Sequence, residues 1–418
     1  MMRRSLLFGC MILVLLVPTV TIFAQYGESC PEGPVAKDAP VLKIGAAVSL
    51  TGKYSREGSD VKDGYVFWRD WVNEARGGVN VGGECYRVEI VFYDDQSTPS
   101  QTASYTERMI RDQGVSFILG PYSTELTMVA SEVTERENVI MMAADGPSEE
   151  LYERGFSNLF GVMTPARLYT RSGIEQAAAL GAQTAVVAYQ DIPFSAAVAE
   201  GAQYWLEDSG IEVLAFEGYP PETTDVTEMF TRFRDLKPDL FIGAGHFNDT
   251  VMFVNTAKEV GFSPAAFLFT VGPSSPVFVE QLEDKAEFVW GTSQWESAMV
   301  MWQDQYFGTA ADYAARYEEK FGLPPSYHAA GASAAALVLQ IAIENAGSID
   351  TGAVRTSLRE IDILTFYGPI RFDGAGQNMA KPMVTTQIQN GAIVIIAPEN
   401  IAAAETIWPA PAWDARSD

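Results

Sequence analysis

The sequence predicts an α/β fold of two lobes, each a doubly wound, Rossmann-like layer of parallel strands and helices. Short apolar runs alternate with helical stretches from residue 42 to 148, and the same alternation begins again after residue 165. The chain of 418 residues is also too long for a single ordinary hydrophobic core. Polar or glycine-bearing loops follow the strands at 49–55, 121–124 and 144–148. Since such loops meet at the carboxyl edge of a parallel sheet, we expect a small ligand to bind there.

The first array opens with an apolar strand at 42–48 and an amphipathic helix at about 58–75. Tyr65, Trp68 and Val72 lie on one stripe of that helix, and two glycines at 77–78 end it. The array continues with a strand at 88–93, a helix at 98–113, a strand at 115–120, a helix with a buried face at 126–133 and a strand at 139–143. This strict alternation is typical of parallel βαβ units.

The second array repeats the same order after a proline-bearing segment at 161–165. Its strands are expected at 184–189, 211–216, 239–245 and 267–271, and its helices at 195–208, 226–236 and 249–260. Two similar arrays joined in this way predict two similar lobes.

The final third of the chain does not form a third array. We predict a strand at 287–292, helices at 310–321, 327–346 and 353–361, and strands at 368–372, 383–389 and 392–396. Asn390 and Gly391 are expected to join the last two strands as a hairpin. These elements fit a chain that crosses back to complete the first lobe and then returns to the second.

Three crossings between the lobes are therefore expected, and together they form a hinge. They are predicted near 161–165, 290–294 and 347–352. The resulting division is a signal peptide at 1–24, an amino-terminal arm at 25–40, lobe 1 at 41–162 and 291–349, lobe 2 at 163–290 and 350–400, and a carboxyl-terminal tail at 401–418.

The first residues have the pattern of an export signal. Arg3 and Arg4 precede an apolar run at 6–17, Pro18 breaks that run, and Ala24 provides a small residue for cleavage. The stretch at 5–24 approaches the length of a membrane span, so an uncleaved anchor is the alternative. We expect no later segment to cross a bilayer.

The composition argues against partners that carry negative charge and indicates an oxidising compartment. Lys and Arg number 28 against 54 Asp and Glu, so the net charge of −26 repels nucleic acid and anionic membrane. Cys30 and Cys85 form an even pair once Cys10 leaves with the signal, which predicts a disulfide. Two unpaired buried thiols are the alternative.

No constellation for catalysis, metal binding or cofactor binding stands out in the sequence. Gly52 and Lys53 lack the rest of a phosphate-binding loop, and Asp94 and Asp95 at a strand end are interpreted as turn caps. None of the ligand loops contains a nucleophile together with its base. We therefore predict a protein that holds a small molecule, uses no cofactor or metal, and is not an enzyme.

Five motifs resemble those of one family in both order and spacing. They are IGAAVSLTG at 44–52, Gly58 with the helix that follows it, GGVNVGG at 77–83, YDDQS at 93–97 and ILGPYS at 118–123, and the resemblance continues to YGPIRFD at 367–373. Over about 41–398 the sequence resembles the leucine/isoleucine/valine-type solute-binding proteins of ABC importers, which have the type I periplasmic-binding-protein fold. The resemblance implies a monomeric clamshell in the periplasm, or on the outer face of the cytoplasmic membrane, that delivers a solute to a membrane permease.

The resemblance places a ligand-binding site at the loops of the first lobe. Ser123 and Thr124 match the position where the family binds a ligand carboxylate, at the start of a helix with free amides. The alternative for Ser123 is a helix N-cap. Asp145, Gly146 and Ser148 match a second ligand loop, although relatives have a small residue followed by threonine there. Asp145 is then a candidate for binding a ligand amine or hydroxyl, or for capping the turn.

In the second lobe, the resemblance places aromatic residues over the ligand. Phe194 matches one aromatic position, with core packing as its alternative, and His246 and Phe247 match an aromatic pair. Ser274 lies near the position of the amine-binding acid in amino-acid-specific members, but residues 272–275 contain no acid. This departure argues against a plain α-amino acid, because a buried ammonium group requires a carboxylate.

Residues of the first lobe can supply the carboxylate that residues 272–275 lack. Asp145 or Glu57 is the candidate carboxylate, and Tyr54, Tyr122 and Trp295 are expected to form aromatic walls of the site. Amino acids are the leading class of solute, followed by amides and aromatic acids. The alternative function is a ligand-sensing module that reports the solute to a receptor.

Overall fold

The computed structural model describes residues 27–416 of the chain. The predicted signal peptide, 1–24, lies outside the described residues. The continuous part of the first lobe consists of β1 (Val41–Val48), α1 (Ser55–Ala75), β2 (Val79–Val81), β3 (Glu84–Asp94), α2 (Pro99–Arg111), β4 (Phe117–Leu119), α3 (Thr124–Arg136), β5 (Met141–Ala143), α4 (Glu150–Glu153) and β6 (Leu159–Gly161).

The second array of elements follows after the first crossing. It consists of α5 (Arg171–Ala179), β7 (Thr184–Gln190), α6 (Pro193–Asp208), β8 (Glu212–Tyr219), α7 (Thr227–Leu236), β9 (Leu240–Ala244), α8 (Phe247–Val260), β10 (Ala266–Phe269), α9 (Pro276–Leu282) and β11 (Trp290–Ser293). The remaining elements are β12 (Gln303–Asp304), β13 (Gly308–Thr309), α10 (Ala310–Phe321), α11 (Tyr327–Ala346), α12 (Thr351–Glu360), β14 (Asp362–Thr365), β15 (Gly368–Arg371), β16 (Val384–Gln389) and β17 (Ala392–Ala397).

Each lobe is built on its own sheet, as the sequence predicts. The first sheet has the order β2-β3-β1-β4-β5-β6, and only the pairing of β2 with β3 is antiparallel. β1 lies at its centre, with Ile44 opposite both Ile90 and Phe117. Because β1 is buried between two parallel neighbours, it reads as a nearly continuous apolar run in the sequence.

The second sheet has the order β17-β16-β11-β10-β9-β7-β8. Its five strands from β11 to β8 are parallel, and the predicted hairpin of β16 and β17 adds two antiparallel strands at one edge. Asn390 and Gly391 both have left-handed backbone angles (φ of 53° and 74°), as a tight hairpin turn requires.

Helix α11 forms the centre of the first lobe's core. It is buried on all sides from Tyr327 to Glu344. By length and composition alone it could cross a membrane, which corrects the expectation that no later segment could; 89% of its apolar window is buried inside the protein. Small residues let α1 approach it closely, because a Cβ added at Gly64 would lie 2.2 Å from the carbonyl oxygen of Ala329.

The third crossing lies later in the chain than predicted, so the assignment of 350–400 to lobe 2 is wrong in its first part. Helix α12 packs against α11, and its Val354 and Leu358 belong to the first core, as does Ile370 of β15. Only from β16 onward does the chain join the second sheet. The apolar faces of α12 and β15 are equally suitable for either lobe, so periodicity alone could not assign them.

The three crossings are joined by hydrogen bonds at the hinge. The side chain of Gln294 accepts from the backbone N–H of Thr164 (3.1 Å) and from Nζ of Lys381 (2.7 Å). The Lys381 side chain is buried, and its ammonium group lies 4.4 Å from the ring centre of Tyr367. Each crossing therefore contributes one residue to a single polar cluster.

The first and last segments of the described residues are each attached to the lobe they adjoin. The predicted disulfide between Cys30 and Cys85 is present, with Cα atoms 5.9 Å apart, and it fixes the arm to β3. In the tail, the Trp408 ring lies 5.7 Å from that of Trp290, and the indole N–H of Trp413 donates to the carbonyl of Phe262 at 2.7 Å. The tail therefore packs on the surface of lobe 2.

Candidate ligand-binding site

The loops that follow the strands of both sheets meet at the seam between the lobes. The loops after β4 and β5 contribute from lobe 1, and those after β7, β9 and β10 contribute from lobe 2. The amino terminus of α11 reaches the same place from lobe 1. Together they line an inner cavity, whose residues are Tyr122, Ser123, Thr124, Asp145, Gly146, Pro147, Met163, Tyr169, Phe194, His246, Val271, Tyr327 and His328.

Ser123 and Thr124 stand at the amino terminus of α3, on the wall of the inner cavity. Ser123 caps the helix, since its hydroxyl accepts from the backbone N–H of Leu126 at 3.3 Å. Its φ of 74° is a left-handed angle that a non-glycine residue rarely adopts and that is often found at functional sites. The hydroxyl of Thr124 is buried and has no hydrogen-bond partner among residues 27–416. The helix end therefore presents amides, a positive dipole end and a free hydroxyl to the cavity.

Asp145 and His328 form a buried pair on the same wall. Oδ1 of Asp145 lies 2.8 Å from Nδ1 of His328, and their side chains are only 3% and 7% exposed. Burial lowers the pKa of His328, but the neighbouring carboxylates, led by Asp145, outweigh it and raise the pKa overall. The other carboxylate oxygen, Oδ2 of Asp145, has no partner within the described chain. Of the two roles considered for Asp145, ligand binding or capping of the turn, the free Oδ2 and the bond of Oδ1 to His328 favour ligand binding.

His246 brings the second lobe into contact with the first. Its Nδ1 lies 2.8 Å from the hydroxyl of Tyr122, and its ring centre is 4.9 Å from that of Tyr54 and 5.5 Å from that of Phe194. Burial, followed by the positive charges of Lys53 and His328, lowers the pKa of His246 to about 3. The imidazole is therefore neutral at neutral pH. Its Nε2 is buried and unpaired within the described residues.

A second space, the acidic chamber, adjoins the inner cavity along the seam. It shares Val271, Tyr327 and His328 with the inner cavity. Its other lining residues are Arg56, Glu57, Asp60, Phe247, Gly272, Ser274, Ser275 and Ser326. The predicted site residues Glu57, Phe247 and Ser274 thus lie beside the inner cavity and not in its wall.

The structure separates three other predicted site residues from the inner cavity. Tyr54 lines an outer groove at the mouth of the cleft, together with His246. Ser148 is buried but lines neither the inner cavity nor the acidic chamber. The expectation that Trp295 forms an aromatic wall is wrong: its indole N–H donates to the carbonyl of Phe366 at 2.9 Å, deep in the core of lobe 1.

Several lining residues were missed by reasoning from the sequence. Met163 and Tyr169 lie beside the first crossing, and Tyr327 and His328 form the first turn of α11. Two features of the sequence point to His328 as a candidate site residue. It is one of only two histidines, and it lies at the start of a long predicted helix. The described residues contain no group of three or more His, Cys, Asp or Glu that could hold a metal ion.

Comparison with known proteins agrees with this architecture. A sequence model described as periplasmic binding protein matches residues 41–392. The Leu/Ile/Val-binding protein homolog 7 of Brucella suis biovar 1 (strain 1330) is 24% identical over 389 residues, which cover 88% of this chain and 94% of that protein.

Two solved structures illustrate the likeness of fold. The leucine binding protein LivK of Thermotoga maritima MSB8 aligns with a TM-score of 0.75 and 21% identity, over 85% of this chain and 98% of its own. An ABC transporter solute binding protein of R. palustris in complex with benzoate aligns with a TM-score of 0.72 and 15% identity, over 89% and 97% of the two chains. At these identities the likeness shows a shared fold.

Proposed function

The chain belongs to the periplasmic binding protein family, and we propose that it is the substrate-binding protein of an ABC importer. It acts outside the cytoplasm, in the periplasm or at the outer face of the cytoplasmic membrane, and delivers a small organic solute to a membrane permease. The protein of R. palustris named above is an ABC transporter solute binding protein, which favours this function over a sensory module.

Unpaired polar atoms from both lobes around one cavity carry this proposal. They are the hydroxyl of Thr124 and Oδ2 of Asp145 from lobe 1, and Nε2 of His246 from lobe 2. A buried polar atom without a partner costs about 1–3 kcal/mol. The presence of such unpaired atoms on opposite walls of one cavity is explained if a bound solute supplies their hydrogen bonds.

The arrangement of these atoms indicates which groups the solute presents. A carboxylate suits the amino terminus of α3 at Ser123 and Thr124, where amides and the dipole favour negative charge. An N–H donor suits Oδ2 of Asp145, since an ionised carboxylate can only accept. The rings of Tyr122 and Phe194 line the space between and fit an apolar body. An amino acid or amide therefore fits this cavity better than an acid without N–H groups.

Closure follows from contacts made to both lobes at once. A solute held by Thr124 and Asp145 on one side and by His246 on the other stabilises the closed arrangement relative to the open one. The three crossings at the hinge allow the lobes to move as rigid bodies. We propose that the permease recognises the closed shape, and that the protein acts as a monomer without chemistry on the solute.

A thermal-shift screen of the full chain against amino acids, amides and aromatic acids tests this function. A bound solute at a hundred times its dissociation constant should add about 2.7 kcal/mol to the free energy of unfolding. Thr124→Val and Asp145→Asn should each reduce that stabilisation, while Thr356→Val on the exposed face of α12 should not. A screen without any hit, or a hit that is indifferent to both cavity variants, would contradict the proposal.

A further inference from the structure

The acidic chamber contains a buried carboxylate that no cationic side chain of the described residues contacts directly. Glu57 lies in the first turn of α1, is 4% exposed and lines the chamber. Within residues 27–416, the only hydrogen bond to its carboxylate comes from its own backbone N–H. Burial raises the pKa of Glu57, and the charge of His328 opposes that shift only in part. A buried acid whose carboxylate receives a hydrogen bond only from its own residue is unusual unless a ligand completes its surroundings.

The cations near Glu57 are already engaged elsewhere. Arg56 donates from Nη2 to the hydroxyl of Ser275 at 3.0 Å, and its guanidinium lies 4.8 Å from the ring centre of Phe247. His328 is held by Asp145 at 2.8 Å. Neither side chain is therefore free to move onto the carboxylate of Glu57 without breaking these contacts.

The charged side chains that line the acidic chamber and the inner cavity also carry a net negative charge. Glu57, Asp60 and Asp145 stand against Arg56 and His328, so the group carries one more negative than positive charge when all are ionised. The carboxylate of Asp60 accepts a hydrogen bond from Ser326 at 2.7 Å and gains no cation by it. In surroundings with little water, such a surplus attracts a cationic ligand group.

The acidic chamber and the inner cavity are positioned to hold one solute. They share Val271, Tyr327 and His328 in their linings, so the residues around Thr124 and those around Glu57 lie on adjoining parts of the seam. The helix end supplies the site for negative charge, and the chamber supplies the site for positive charge. The seam thus favours a negatively charged ligand group at the start of α3 and a positively charged ligand group in the acidic chamber.

We infer that the solute carries, beyond the groups bound in the inner cavity, a second positively charged group that enters the acidic chamber and pairs with Glu57. This inference rests on the proposed solute-binding function and names the class of solute: an amino acid with a basic side chain. A neutral aliphatic amino acid leaves Glu57 unpaired, and an aromatic acid without an amine adds negative charge to a negative seam.

Isothermal titration of the full chain with matched solutes tests the inference. L-Arginine is compared with L-citrulline, which has nearly the same shape without the charge, and L-lysine and L-ornithine are compared with L-norleucine and L-norvaline. We expect at least one basic member to bind about 10- to 100-fold more tightly than its neutral partner, the effect of one charged hydrogen bond. Glu57→Gln should remove that preference, and Glu74→Gln, at the exposed far end of α1, should keep it.

The outcomes separate this inference from the proposed function. Equal or tighter binding of the neutral partners, absence of binding by every basic solute, or a preference that survives Glu57→Gln would each overturn it. If Glu57→Gln does not fold, the three comparisons of a basic solute with its neutral partner on the unaltered chain still decide. The thermal-shift screen with Thr124→Val and Asp145→Asn tests the proposed function separately, because a hit of any charge in that screen supports solute binding.

Discussion

At the residue scale, the site depends on side chains that are far apart in the sequence. Asp145 and His328 are separated by 183 positions and meet only because α11 packs against α1 and β5. The loop residues Ser123, Thr124 and Asp145 could be predicted, because strand ends and helix starts are visible as local patterns. The presence of His328 in the site could not be predicted, because no local sequence pattern indicates where the amino terminus of a core helix lies in the folded protein.

The buried imidazole of His246 makes solute binding sensitive to acid. Its pKa is about 3 in this structure, against 6.5 for an ordinary histidine, because burial disfavours the charged ring. A group with a lowered pKa contributes its stabilisation fully above 6.5 and loses it as the pH falls from 6.5 toward 3. If the ring is solvated in the open form, affinity for the solute should fall about tenfold per pH unit in that range.

Affinity measured by titration calorimetry at about pH 7.5 and about pH 5.5 checks this prediction. His246→Gln has no titrating ring, so its affinity should change much less between the two conditions. An unaltered chain whose affinity stays constant down to about pH 5.5, or a variant with the same loss of affinity, would contradict it.

At the element scale, the contact between α1 and α11 supports the wall of the site. Helix α11 carries Tyr327 and His328 at the seam, and α1 carries Glu57. The two helices approach closely at Gly64, where a Cβ would lie 2.2 Å from a backbone oxygen of α11. The sequence predicts both helices. Their close contact requires glycine at position 64, and this requirement can be recognised only once the packing of the two helices is known.

Gly64→Ala should therefore destabilise the protein. Because the nearest atom is backbone, the helices must separate, and we expect a loss of about 2 kcal/mol in the free energy of unfolding. Urea denaturation followed by circular dichroism measures it. Gly374→Ala is the matched control, since a Cβ there meets nothing within 4 Å. Equal stability of the two variants would show that the helices do not pack as described.

At the scale of the whole molecule, the number of lobes and crossings could be predicted but the position of the last crossing could not. The two successive βαβ arrays predict two sheets. The elements after the second array fit neither array, so they predict that the chain crosses back to the first lobe and then again to the second. Helix α12 was assigned to the wrong lobe because its apolar face fits either core. The polar cluster of Thr164, Gln294 and Lys381 marks the true crossings, and it forms between segments more than 80 positions apart.

The central claim is that one solute at the seam completes the hydrogen bonds of both lobes. A crystal structure of the full chain with the tightest solute from the screen tests it most directly. The account predicts a negatively charged group within hydrogen-bond distance of the Thr124 hydroxyl, an N–H group on Oδ2 of Asp145, and contact with His246 from the other lobe. A solute bound outside the seam, or one that touches a single lobe and leaves these atoms unpaired, would contradict it.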